Sequence, residues 1–241
     1  MRASLEPLQL AEALGASEKS VRRWIDGVTV PHPRMRYRVA LAVGEDESYL
    51  WPQATDRTNL SGAELVSSWP RRSEVPKHLW VDLLRDCTRN FDLLAFAGLF
   101  LPEEHSEWIP LLHQKASSGV RVRLLIGDPT GRHLSSRDAE HRIGGGVRGR
   151  VDAVIAQYAP LSDVIEIRGH DTPLYNSIYR FDDQMLVNSH VYGLLAAYTP
   201  VLRFRRIDGQ YFDTYMESFE RVWAGAPPLD LGSAQVTSSR G

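Results

Sequence analysis

Polar side chains of the types used in phosphate and ligand chemistry are concentrated between residues 168 and 193. Histidines, hydroxyl groups, an aspartate and an asparagine alternate there with apolar residues, a pattern typical of two adjacent strands joined by a turn. Strand ends and loops are where α/β proteins place ligand sites. We therefore predict a ligand-binding site. Its residues are His170, Thr172, Tyr175, Ser177, Asp182, Asn188, His190 and Tyr192.

The spacing of these residues resembles the phospholipase D superfamily, whose H-x-K-x4-D motif is followed by a second strand and a Gly-Ser-x-Asn-type loop. With the family aspartate aligned on Asp182, Tyr175 replaces the histidine nucleophile, Ser177 replaces the lysine, and Asn188-Ser189 occupies the Gly-Ser place. Tyrosine is protonated at neutral pH and serine carries no charge, so neither can do the work of the residue it replaces. The resemblance implies a catalytically degenerate domain for ligand sensing, dimerisation or both, and we assign no catalytic residue.

Plainer interpretations of the same residues remain open. Asp182-Asp183 equally fits an ordinary hairpin turn, and Tyr175 and Tyr192 fit half-buried aromatics of a core. A histidine more often satisfies a structural hydrogen bond than binds a ligand.

An enzymatic alternative also remains open. The chain would then be a phosphodiesterase or nuclease of the phospholipase D superfamily, targeted to DNA, with His170 or His190 as the nucleophile. An alignment on His170 puts Thr172 in place of the lysine and Ser177 in place of the aspartate, which speaks against it.

A basic, glycine-rich stretch lies at residues 131–149, with Arg142, Arg148 and Arg150 around three consecutive glycines. We interpret it as a mobile, solvated loop. The alternative is a loop that closes over an anionic ligand, because backbone N–H groups of glycine-rich turns bind anions.

Near the start of the chain, residues 10–24 have the layout of a helix–turn–helix. Gly15 supplies the left-handed turn residue, Ser17 caps the next helix, and Val21 and Trp24 face a core. This stretch resembles Xre/Cro-type helix–turn–helix repressors of the actinobacterial kind. The resemblance implies that the second helix enters the major groove of double-stranded DNA.

The charge of the chain is unevenly distributed. The whole sequence has 28 basic and 30 acidic residues, but residues 17–38 carry six basic against two acidic, a local excess suited to phosphates. The resemblance to Xre/Cro-type repressors implies that Ser17, Glu18, Lys19 and Arg22 lie where recognition-helix side chains reach bases, and Ser20 is predicted to bind DNA with them. We expect another group to hold phosphates, namely Arg23, Arg34, Arg36 and Arg38.

Composition limits the class of protein. The 241 residues, 43% hydrophobic and 24% charged, suit two globular domains and exclude a mainly disordered chain. No apolar run is long enough to span a membrane, and the single cysteine, Cys87, allows no internal disulfide, so we expect a cytoplasmic protein. His133 and His141 lack a third ligand, and we predict no metal or cofactor.

Hydrophobic periodicity places these residues on elements. We predict helices at 77–89, 103–118, about 151–158 and 212–223. We predict strands at 91–101, 120–126, 164–168, 177–181, 185–188 and 201–205. The fold class is a small all-α helix–turn–helix domain followed by a phospholipase-D-like α/β domain with a mixed sheet flanked by helices. The domains are predicted at 1–52 and 77–228, with a linker at 53–76 and a disordered tail at 229–241.

The sequence therefore favours a DNA-binding transcriptional regulator. Its expected partners are a palindromic operator, an unknown small-molecule effector and a second copy of the chain. The resemblance to single-copy phospholipase-D-like domains implies pairing, which would set two DNA-reading units on palindromic half-sites.

Overall fold

The structure is a computed structural model that describes residues 6–45, 47–51, 54, 63–141, 146–207 and 210–229, with the backbone alone at 48, 49 and 141. The chain divides into two compact units. The helical unit comprises Met1–Ala63 with Asp208–Gln210, and the sheet unit comprises Glu64–Ile207 with Tyr211–Gly241. Of the predicted tail, only residue 229 is among the described residues.

In the helical unit, short helices form around a tight turn. The described helices are α1 (Pro7–Leu14), α2 (Glu18–Ile25), α3 (Pro33–Val43) and α4 (Glu47–Leu50). Gly15 ends α1 in the left-handed conformation, with φ of 64°, and Ser17 caps α2 by accepting a hydrogen bond from the backbone N–H of Ser20 at 3.1 Å. Both local predictions are confirmed.

The core of the helical unit is built from apolar side chains of α1, α2 and α3 together with Trp51. Leu10 and Leu14 of α1 pack with Val21 of α2, Val39 of α3 and the indole of Trp51. Trp24 packs against this cluster while remaining partly exposed. Val21 of α2 therefore points into the core, and the basic residues on the opposite side of the helix face solvent.

Among its described residues, the sheet unit consists of seven strands, five longer helices, one short helix and three 3₁₀ turns. The strands are β1 (Leu65–Trp69), β2 (Asn90–Ala95), β3 (Arg121–Gly127), β4 (Glu166–His170), β5 (Asn176–Phe181), β6 (Gln184–Ser189) and β7 (Val201–Arg205). The helices are α5 (Lys77–Asp86), α6 (Phe100–Glu104), α7 (Trp108–Ser117), α8 (Arg132–His141), α9 (Gly146–Tyr158) and α10 (Tyr211–Gly225). No helix in the described part of the chain is long and apolar enough to cross a membrane.

The strands form one mixed sheet in the order β1-β7-β6-β5-β2-β3-β4. β2, β3 and β4 are parallel, whereas β5, β6, β7 and β1 continue the sheet from β2 in antiparallel fashion. The prediction of a mixed sheet flanked by helices is confirmed for this unit.

The predicted linker at 53–76 is corrected, because its second half belongs to the sheet unit. Ser68 and Trp69 of β1 pair with Leu202 and Val201 of β7, and a 3₁₀ turn at Arg72–Glu74 follows. Serine-rich composition suggested a linker, but an edge strand tolerates polar residues on its solvent side. Residues 53 and 55–62 of the predicted linker lie outside the described residues.

Three further element predictions need correction. The strand predicted at 91–101 ends at Ala95, because Gly98 turns the chain with φ of 69° into α6. The helix predicted at 103–118 begins at Trp108, since His105 has an extended backbone. The stretch 131–149, predicted as a loop, contains α8 and the start of α9, and residues 142–145 lie outside the described part.

Both faces of the sheet are covered. One face packs under α5, α7 and α9, where the indole of Trp108 donates a hydrogen bond to the hydroxyl of Tyr158 at 3.1 Å. Burial raises the pKa of Tyr158 well above its ordinary value, so its hydroxyl stays protonated. The other face packs against α10 through Phe212, Phe219 and Trp223.

A buried ion cluster joins α10 to the sheet. Asp92 of β2 is fully buried and accepts hydrogen bonds from Arg123 at 2.6 Å and Arg180 at 2.9 Å, its neighbours on β3 and β5. Arg123 also donates to both carboxylate oxygens of Glu220 on α10, at 3.0 and 2.7 Å. Removing one partner of such a cluster leaves a buried charge without compensation.

Candidate functional site

The outer face of α2 is basic. Lys19, Arg22 and Arg23 are exposed, while Val21 between them is fully buried. Arg22 donates two hydrogen bonds to Glu18, at 2.9 and 2.6 Å, one turn earlier. This contact with Glu18 raises the pKa of Arg22 above its ordinary value. The face thus presents three guanidinium or ammonium groups, one of them held in place along the helix axis.

Ser17 and Ser20 have a structural role at the start of α2. Besides the capping bond to the N–H of Ser20, the two hydroxyl groups are 2.8 Å apart and hydrogen-bonded to each other. An N-cap of this kind satisfies one of the open N–H groups of the first turn. The two serines fix where α2 begins and thereby orient Lys19 and Arg22.

The three arginines predicted to hold phosphates on α3 do not act alike. Arg34 and Arg38 are exposed, but Arg36 is only 3% exposed. Its Nε donates to Glu47 at 2.6 Å, and its Nη1 donates to the carbonyl of Pro31 at 3.3 Å. The prediction that Arg36 holds a phosphate is therefore wrong: successive alternate positions on a helix are about 200° apart, so Arg36 points opposite to its neighbours.

The sheet unit contains a cavity of about 380 Å³. It lies where β2 ends and runs into the loop before α6, the position at which open α/β sheets bind ligands. The lining residues are Arg72, Ala95, Phe96, Ala97, Gly98, Leu99, Phe100, Arg137, Gly146, Val147, Arg150, Ser177, Tyr179, His190, Leu195, Ala196 and Ala197. Its volume falls within the range of small-molecule sites.

Two of the predicted ligand-binding residues, Ser177 and His190, meet in the wall of this cavity. Nε2 of His190 and Oγ of Ser177 are 3.0 Å apart, and Nδ1 of His190 is 3.0 Å from the carbonyl of Leu174. A carbonyl only accepts, so Nδ1 carries a proton, and in the neutral ring Nε2 accepts the hydroxyl proton of Ser177. The imidazole also stacks on Phe96, with ring centroids 5.9 Å apart.

Three arginines line the same cavity. Arg137 pairs with Glu140 at 2.6 Å and donates to the carbonyl of Leu194 at 3.1 Å. Arg150 pairs with Glu103 at 3.0 Å. Arg72 stacks on the ring of Phe100, and burial lowers the pKa of its guanidinium.

The predicted site residues include neither Arg72 nor Arg137, and Arg150 is predicted only as part of a basic stretch. Arg72 lies in the segment predicted as a linker, and Arg137 lies in the stretch predicted as a loop. No motif marks either residue, because the fold brings them to the cavity from distant parts of the chain.

His170 and Thr172 are used inside the protein. His170 is 3% exposed, and its Nε2 donates to the carbonyl of Ala95 at 3.1 Å. Its Nδ1 accepts a hydrogen bond from the hydroxyl of Thr172 at 3.0 Å. Burial lowers the pKa of His170, which favours the neutral ring. Neither residue lines the described cavity, so the structure does not bring them together with Ser177 there.

Asp182 lies at the far end of β5 from Ser177 and serves as a turn residue. It has φ of 52° in the two-residue turn before Gln184, the left-handed conformation that aspartate tolerates in hairpins. Its carboxylate accepts hydrogen bonds from the backbone N–H groups of Thr88, Arg89 and Asn90, at 2.7, 2.8 and 2.7 Å.

Burial alone would raise the pKa of the Asp182 carboxyl, but these backbone donors lower it below its ordinary value. The hairpin interpretation is therefore confirmed, and the Asp182 carboxylate is engaged by backbone donors at the end of β5 away from the cavity.

The remaining predicted ligand residues lie outside the cavity. Asn188 is fully buried and donates to the hydroxyl of Thr199 at 2.8 Å. Tyr175 and Tyr192 are 76% and 86% exposed, so they are neither cavity residues nor core aromatics.

Cys87 is a free cysteine packed inside the sheet unit. The buried thiol of Cys87 donates to the carbonyl of Asn90 at 3.2 Å, and burial raises its pKa to about 11. Within the described ranges, no three His, Cys, Asp or Glu side chains are grouped closely enough to hold a metal ion.

Comparison with known proteins gives distant structural likenesses. No family model and no curated protein matches the chain. The structure of TrmBL2, an archaeal chromatin protein that binds DNA, is similar with a TM-score of 0.45 and 13% identity, over 93% of this chain and 88% of that one. Nuc of Salmonella typhimurium, a member of the phospholipase D family, has a TM-score of 0.43 and 14% identity, over 64% of this chain and 90% of that one.

Proposed function

We propose that this chain is a DNA-binding transcriptional regulator. In this proposal the helical unit is an Xre-type helix–turn–helix that reads duplex DNA in the cytoplasm. The sheet unit is a catalytically degenerate phospholipase-D-like domain that binds an effector and pairs with a second copy. The observation that carries the proposal is α2, which turns Lys19, Arg22 and Arg23 outward while Val21 anchors it in the core.

The charge on α2 matches what a major-groove helix needs. Arginine donates in a fork to base edges or phosphates, and lysine neutralises phosphates as a point charge. Arg34 and Arg38 lie one helical turn apart on α3 and add two further exposed guanidinium groups. Arg22 would exchange its contact with Glu18 for a contact with DNA.

The test measures binding of a labelled duplex, taken from upstream of the protein's own gene, by fluorescence anisotropy at several salt concentrations. Arg22→Ala is expected to weaken binding about tenfold or more, since a base-reading arginine contributes about 1–3 kcal/mol. Arg221→Ala is the matched control, because Arg221 is also an exposed arginine paired with a glutamate one turn earlier, Glu217, on α10. Its affinity should equal that of the wild type.

Wild-type affinity should fall steeply as salt rises, because phosphate contacts release counterions. Binding that does not respond to salt, or equal loss in Arg22→Ala and Arg221→Ala, contradicts the proposal.

A second candidate is hydrolysis of a phosphodiester or related ester, and the observation that favours it is the hydrogen bond between Ser177 and His190 in a cavity wall. A histidine that accepts a hydrogen bond from a serine hydroxyl can act as the base that activates this serine as a nucleophile. Turnover of bis(4-nitrophenyl) phosphate that disappears in His190→Ala would establish this alternative over a purely binding role.

A further inference from the structure

Arg72 is a partly buried cation; burial lowers the pKa of its guanidinium and outweighs Glu104 and Glu103, which favour its charged form. Its guanidinium carbon lies 3.6 Å from the centre of the Phe100 ring, and its Nε is buried without a hydrogen-bond partner. None of the described carboxylates forms an ion pair with it. A charge removed from water is costly unless an opposite charge compensates it. An anion placed in the cavity would supply that compensation.

The other two cavity arginines already have partners, which makes Arg72 the one to be satisfied. Arg137 is paired with Glu140, and Arg150 is paired with Glu103. Neither glutamate is a lining residue, and no acidic side chain of the described residues lines the cavity. The cavity therefore presents positive charge to its contents, which favours an anion over a neutral or cationic ligand.

Most of the remaining wall is apolar. Phe96, Leu99, Phe100 and Leu195 contribute carbon surface, while Ser177 with His190 offers one polar contact. A bare inorganic ion would leave that carbon surface without contacts. A ligand that fits this wall carries an apolar body beside its charged group.

We propose that the cavity binds a small organic anion, a carboxylate or a phosphate ester with an apolar body, whose anionic oxygens pair with Arg72. Nε and one Nη of arginine form a fork that matches two oxygens of a carboxylate or phosphate. The proposal rests on the proposed function, since it names the chemical class of its effector.

Isothermal titration calorimetry of the full chain tests this without DNA. The probes are octanoate, octyl phosphate and the neutral 1-octanol, which share one apolar body. We expect either anion to bind at least tenfold more tightly than 1-octanol, and the tighter of the two identifies the head group. Equal affinity for 1-octanol, or no binding of either anion at millimolar concentration, overturns the proposal.

Arg72→Met should weaken binding of the preferred anion at least tenfold and leave 1-octanol unchanged. The control is Arg71→Met, because Arg71 is exposed, pairs with Glu74 and does not line the cavity. Unchanged anion affinity in Arg72→Met overturns the proposal. If Arg72→Met fails to fold, Arg72→Lys decides, since it keeps the charge but loses the fork: a loss of anion affinity supports the proposal and no loss overturns it.

The two proposals fail separately. If the chain binds the anion but shows no salt-dependent DNA binding, the regulator proposal is refuted and the anion site stands. If the chain binds DNA but not the anion, the anion site is refuted and the regulator proposal stands.

Discussion

Arg34, Arg36 and Arg38 share one helix but have different surroundings. Arg36 is enclosed and bonded to Glu47 and to the backbone of Pro31, whereas the other two lie on the exposed side. Residue type alone therefore does not assign a phosphate contact. The direction of each side chain around the helix axis does.

Replacing Arg36 should affect stability more than DNA binding. Arg36→Met removes the hydrogen bonds to Glu47 and Pro31, and we expect a loss of about 1–3 kcal/mol in the free energy of unfolding, measured by urea denaturation. The exposed Arg38→Met should stay within about 0.5 kcal/mol of the wild type.

In the anisotropy assay, Arg38→Met should change DNA binding more than Arg36→Met does. Arg38→Met is expected to reduce the salt dependence by about one counterion, and Arg36→Met is not. A lower salt dependence in Arg36→Met with wild-type stability would contradict this assignment.

At the scale of elements, the hairpin of β5 and β6 is tied to the entry of β2 by one carboxylate. Asp182 occupies the turn and accepts three backbone N–H groups from residues 88–90. These bonds join segments more than ninety residues apart in the sequence. The carboxylate thus fixes the hairpin to the central strand.

Asp182→Asn should destabilise the protein in a pH-dependent way. The folded-state pKa of Asp182 lies below its ordinary value, so its contribution is fully present above about pH 4 and is lost as pH falls through the folded pKa. We expect a loss of about 1–3 kcal/mol at pH 7 that shrinks as the pH falls below 4, measured from urea midpoints.

Asp183→Asn is the matched control, because Asp183 is about half exposed and its described side-chain contact is with Arg89. Its effect on the midpoint should be small. A difference between Asp182→Asn and the wild type that stays constant from pH 7 to pH 3 would refute the assignment.

At the scale of the whole molecule, the proposed regulator acts as a pair of chains on a palindrome. A recognition helix covers one half-site, and the two helices of a dimer reach half-sites about one helical turn apart on the same side of DNA. The mass of one chain is 27.2 kDa.

Light scattering during size exclusion should give twice that mass. Inserting about 5 base pairs between the half-sites rotates one of them to the opposite side of the duplex, and we expect affinity to fall at least tenfold. Inserting about 10 base pairs is the control, because one full turn returns both half-sites to the same side of the duplex. Equal affinity for both spacings would show that each chain binds alone.

The local features of the helical unit could be predicted from sequence because they depend on neighbouring residues. Gly15 at the left-handed turn, Ser17 at the cap and Val21 in the core all follow from backbone preference and helical period. The strand at 201–205 and the closing helix were predicted on similar grounds.

The cavity could not be predicted from sequence, because its lining residues come from distant parts of the chain. Arg72 from a supposed linker, Arg137 from a supposed loop and Ser177 with His190 from the polar segment meet there, whereas His170 and Asp182 from that same segment do not. Local sequence determined that two strands carry many polar groups. Only the order of strands in the mixed sheet and the packing of α8 and α9 over it decided which of those groups share a cavity, because side chains converge through tertiary packing rather than through spacing along the chain.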